Sequence, residues 1–73
     1  MPIYQFAVRR DNGQDDDVRW TLLPDDEAAR RFAILLIREV LASERQLELA
    51  HCYMDIKDGN GHFLFAIPFA QAR

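Results

Sequence analysis

The sequence predicts an α+β domain of order β-β-α-β-β: a four-stranded antiparallel sheet with one helix packed on one face. Three observations predict it. Residues 3–9 and 18–22 alternate with period two around a turn, residues 23–43 carry one helical stripe, and residues 47–69 hold two more alternating runs about Asp58-Gly59-Asn60-Gly61. With every neighbour antiparallel, spatial orders 2-1-3-4 and 1-2-4-3 both satisfy the chain directions, and 2-1-3-4 is preferred.

The first strand runs from Ile3 to Arg9, with Tyr4, Phe6 and Val8 on one side and Gln5, Ala7 and Arg9 on the other. Asp11-Asn12-Gly13 breaks it, because Asn-Gly supplies the positive φ angles of a tight turn. Asp15-Asp16-Asp17 continues the loop, and a short strand, Val18 to Leu22, follows with Val18, Trp20 and Leu22 pointing one way. Pro24 suits a helix entrance, Asp25 is the expected N-cap, and Asp26 and Glu27 set negative charge at the helix's positive end. Ala29, Phe32, Ala33, Leu36, Ile37 and Val40 form the apolar stripe. Leu35 widens it on one flank, Ile34 and Leu41 lie round the other, and Glu39 intrudes at its edge, reaching solvent or pairing with Arg31, Arg38 or a strand residue. Fraying is expected by Ser43-Glu44-Arg45.

The third strand is expected within Leu47–Lys57, with Cys52, Met54 and Ile56 inward and His51, Tyr53, Asp55 and Lys57 outward. The fourth spans His62–Phe69, with Phe63, Phe65, Ile67 and Phe69 inward. A symmetric turn pairs Ile56 with Phe63, Met54 with Phe65 and Cys52 with Ile67. Pro68 ends this ladder or places the strand at an edge. The aromatic residues, Trp20 and Phe63 included, read as core facing the helix, with Tyr53 the exception on the open face.

Composition bounds the function. A chain of 73 residues makes one domain, whose core supplies at most roughly 3–5 kcal/mol unaided. The single cysteine, Cys52, excludes an internal disulfide and a cysteine zinc cage, leaving a reducing, cytoplasmic setting as the expectation. The start has neither a basic n-region nor a long apolar run, and Phe32–Ile37 is far short of a membrane span of ~20 residues. A net charge of −3 argues against general nucleic-acid binding, which rests on phosphate neutralisation.

Three motifs bear on family. Met1-Pro2-Ile3-Tyr4-Gln5-Phe6, Leu23-Pro24-Asp25-Asp26-Glu27-Ala28-Ala29-Arg30, and Asp58-Gly59-Asn60-Gly61 with Ala66-Ile67-Pro68-Phe69-Ala70 stand in order along almost the whole chain. They resemble the Met-Pro-x-Tyr-x-Phe opening, the Leu-Pro-Asp-x-Glu-Ala-Ala-Arg helix start and the Val-Pro-Phe-Ala ending of a family of small bacterial proteins. That family is common in alphaproteobacteria and catalogued as a domain of unknown function. The chain departs from it at Arg9-Arg10-Asp11, where the family more often has Arg-Asp-Gly, and at Asp15-Asp16-Asp17, where members tend to carry a glycine. The resemblance implies a bacterial, cytoplasmic protein and supplies no activity.

Nothing displays catalytic chemistry, and no cofactor or metal is expected. The acidic loop 11–17 lacks the alternating carboxylates and distant glutamate of a calcium loop, so it reads as a solvated hairpin tip. His51 and Cys52 are strand neighbours, point to opposite faces and cannot form a dyad. His62 reads as a surface side chain. What the pattern leaves over is apolar surface: Ile3, Ala7, Tyr53, Leu64 and Ala66 on the open sheet face, and Ile34 and Leu41 on the helix flank. A small domain gains by burying such groups in a symmetric contact. The expectation is a non-enzymatic interaction module, a homodimer using Ile3, Ile34, Leu41, Tyr53, Leu64 and Ala66. The alternative is a nucleic-acid-linked regulator using Arg9, Arg10, Arg19, Arg30 and Arg31.

Overall fold

The computed structural model describes residues 1–10, 15–43 and 51–72. The turn expected at 11–13, the helix end at 44–45 and the start of the third strand at 47–50 lie outside them. The elements are β1 (Ile3–Arg9), β2 (Asp15–Leu22), α1 (Asp26–Ser43), β3 (Tyr53–Asp58), β4 (Phe63–Pro68) and a 3₁₀ turn (Phe69–Ala72). All neighbouring strands are antiparallel, in the order β2-β1-β3-β4, so the expected layout and the preferred strand order both hold.

Helix α1 starts where its capping chemistry dictates. The Asp25 carboxylate accepts a hydrogen bond from the Ala28 backbone N–H at 2.9 Å, satisfying one of the orphan donors of the first turn. Two contacts then fix that end to the sheet. The buried Tyr4 hydroxyl donates to Asp26 Oδ1 at 2.8 Å, and the Leu23 N–H donates to the Pro2 carbonyl at 3.0 Å. Ala29 and Ala33 are fully buried, and with so little side chain between them they let the helix lie close against the sheet. Leu36 and Ile37 fill the space with Phe6, Val8, Met54, Ile56, Ile67 and Phe69. Phe32 meets Phe6 edge-on, with ring centroids 5.2 Å apart. The Phe69 N–H donates to the Cys52 carbonyl at 3.0 Å, folding the last turn back under the helix.

Four details differ from the sequence reading. First, β2 begins at Asp15, so the acidic run is strand and not loop: Val8 and Arg9 pair with Asp16 and Asp15, and backbone pairing outweighs the poor strand propensity of aspartate. Second, the β3–β4 ladder is offset. Gly61, at φ +85°, takes the left-handed position of a three-residue loop closed by the Asp58 N–H to His62 O bond, and a bulge follows. Ile56 therefore pairs with Phe65 and Met54 with Ile67, while Phe63 moves opposite Lys57 and stands 57% exposed. Third, Ile34 and Leu41 pack against the core, and among the described helix residues the large apolar side chain left exposed is Leu35. Fourth, Trp20 is not core. Gln5 pairs with Trp20 and Ile3 with Leu22, which puts both on the face away from the helix.

Gly59 closes the sheet at Ile3: a Cβ there would stand 2.7 Å from Ile3 Cγ2. Its neighbour Asp58 accepts backbone hydrogen bonds from His62 and Asn60, both at 2.9 Å.

Two titrations follow. The hydrogen bond to Asp26, then burial, push the Tyr4 phenol up from 10.0 to about 12. The folded state holds that proton more tightly than the unfolded chain, so the contribution is complete below pH 10 and is lost as pH rises toward about 12. The Asp58 carboxyl is held below 3.8, chiefly by the His62 N–H and against the effect of burial, so its contribution is present above that pH and is lost as pH falls through the folded value. Urea titrations across pH should show both limbs; Tyr4→Phe should remove the alkaline one and Asp58→Asn the acid one.

Candidate functional site

The open sheet face is built by the odd residues of β1 and β3 and the residues registered against them. Its centre is polar. Arg9 lies along β1 with Nε 2.8 Å from Asp55 Oδ2 and a terminal nitrogen 3.3 Å from Oδ1, a two-point grip that holds the guanidinium flat. The same guanidinium sits 4.6 Å above the Tyr53 ring, its direct neighbour in the β1–β3 ladder. Asp55 is 7% exposed, and this ion pair is what makes a carboxylate tolerable there. Gln5 and Lys57 face each other further along the same two strands.

The margins are apolar. At the β2 side, Trp20 is 51%, Leu22 59% and Val18 51% exposed, and Ile3 lies directly opposite Leu22. At the β4 side stands Phe63. Of the residues expected at an interface, Ile3 and Tyr53 are on this face and exposed, Ala66 lies opposite Asp55, and Leu64 is half-buried against the core. Ile34 and Leu41 are on the other side of the sheet, carried by α1 and packed against the core. The structure therefore does not bring the six together. It adds Trp20, Leu22 and Val18, which the sequence reading had turned inward.

Of the five arginines, Arg10 is half-buried just after β1, and the other four do not converge. Arg9 is on the open face with Asp55, Arg19 is registered against Phe6 on the helix side of the β2 edge, and Arg30 stacks over Phe65 of β4 at 5.9 Å. Arg31 faces Glu27 one helical turn away at 3.6 Å. Glu39 is exposed.

β3 begins only at Tyr53, so His51 and Cys52 precede the strand expected to hold them; Cys52 is 2% exposed and His51 is exposed. His62 Nδ1 lies 3.3 Å from Asp58 Oδ2, closing the hairpin turn. Among the described residues no group of three His, Cys, Asp or Glu side chains could hold a metal ion, and no helix is long and apolar enough to cross a membrane.

The ion pair has a testable asymmetry. Arg9→Met strands a buried carboxylate and should cost about 2 kcal/mol of unfolding free energy, whereas the double variant Arg9→Met/Asp55→Leu should recover most of it. Equal losses in both would contradict the assignment.

Residues 3–70 match the family model described as Domain of unknown function (DUF6894), and the chain belongs to that family. No curated protein and no solved structure matches it.

Proposed function

We propose that this member of a family without an assigned activity is a non-enzymatic protein-interaction module that works as a homodimer, through the apolar margin of its open sheet face. One observation carries the reading: Trp20 and Leu22 stand half or more exposed beside Ile3, on a face the single helix does not cover. Large apolar side chains grouped in this way mark contact surfaces, and tryptophan is the side chain most enriched at their energetic centres. A domain of 73 residues has little stability to spare, so burial of these groups against a second copy serves the fold as well as the function. The setting is the bacterial cytoplasm, on the resemblance of the three motifs. Nucleic acid is the weaker reading, because the arginines it needs are spread over both faces of the sheet.

Size-exclusion chromatography with light scattering tests it. The chain should run at twice its 8.5 kDa mass at micromolar concentration. Trp20→Ser should raise the dissociation constant about thirtyfold or more while leaving the far-ultraviolet dichroism unchanged. A wild-type chain that stays monomeric would refute the proposal.

A further inference from the structure

Resting on the self-association proposed above, we infer how the two copies meet: β2 pairs antiparallel with β2 of a second copy about a two-fold axis at Trp20, joining two four-stranded sheets into one of eight.

The sheet has two edges, β2 and β4. β4 is blunted by the means that natural edges use: a bulge beside Phe63, and Pro68, which has no N–H to donate. β2 carries its own bulge and three aspartates toward the hairpin tip, but beyond the bulge Arg19–Leu22 keeps one register with β1, the strand contains no proline, and Val18, Trp20 and Leu22 are exposed. A regular, proline-free apolar edge stretch is a template for another strand. Face-to-face packing of the open faces is disfavoured, because it would take the Arg9–Asp55 pair, Gln5 and Lys57 at the centre out of water.

The register follows from the side-chain pattern. A two-fold axis normal to the sheet keeps both helices on one side and sets a residue opposite its own copy. Centred on Trp20, it places Val18 opposite Leu22 of the second copy, Trp20 opposite Trp20 and Arg19 opposite Thr21. The apolar residues then meet only apolar residues on the open face, and Ile3 beside Leu22 continues the row in each copy. Centred on Arg19, the axis would oppose two arginines. Centred on Val18, it would set Trp20 opposite Asp16. Centred on Thr21, it would leave only three residues of each β2 paired.

Disulfide trapping tests this with the full chain, keeping Trp20 and the buried Cys52 in place. Residues directly opposite each other fall within disulfide reach, whereas Val18 and its own copy would be about 13 Å apart along the strands. An oxidised equimolar mixture of Val18→Cys and Leu22→Cys should give about tenfold more linked dimer than either variant alone. Dimers by light scattering with no excess of mixed link would overturn the edge pairing and leave self-association standing. Val18→Cys linking alone as well as the mixture would overturn the Trp20-centred register. A wild-type monomer would overturn both proposals.

Discussion

The offset of one residue in the β1–β2 ladder, between Phe6 and Val8, decides which side of the sheet faces water and with what. Near the hairpin tip Val8 pairs with Asp16; carried on unbroken, that register would set Trp20 opposite Tyr4, under the helix. The bulge shifts the partner by one, so Trp20 meets Gln5 and Leu22 meets Ile3. Side chains alternate strictly along a strand, so one extra residue inverts the facing of everything beyond it. The apolar set of β2 is thereby spent on the surface, and Arg19 and Thr21 take the helix side.

That inversion is affordable because α1 packs chiefly against β3 and the closing turn. The outer strand lies at the edge of its reach, where an arginine and a threonine on the helix side leave no charge in the core. Elsewhere the same economy of small contacts holds. Tyr4 and Asp26 tie the helix start to β1, Asp58 organises its own hairpin turn, and Gly59 lets Ile3 approach that turn closely. The open face is left divided into a charged centre gripped by Asp55 and two apolar margins. Only the β2 margin coincides with a proline-free edge strand.

The sequence made legible whatever depends on period and capping. The strand alternation of 3–9, the Asp25 cap, the helical stripe and the glycine turn each have a local cause, and together they yield the architecture and strand order. Register was the part it could not show, because a bulge depends on the fit of two strands. Regular ladders predict Phe63 and Trp20 inward, and both stand outward beyond a bulge. The helical wheel alone predicts Ile34 and Leu41 at the surface. How far round a helix the sheet and closing turn reach is a property of the assembled layers, and here it covers that flank and exposes Leu35. The Arg9–Tyr53–Asp55 cluster was visible residue by residue but needed the β1–β3 register to bring it together.

The sharpest test of the inverted β2 face uses the sole tryptophan of the chain, Trp20. Its fluorescence quenching by acrylamide should be measured across protein concentration. Quenching should be efficient in dilute solution, as for a solvent-facing indole, and should fall as rising concentration brings copies together. An indole shielded at every concentration, down to the lowest that can be read, would mean that Trp20 lies beneath the helix and that the bulge does not turn β2 outward.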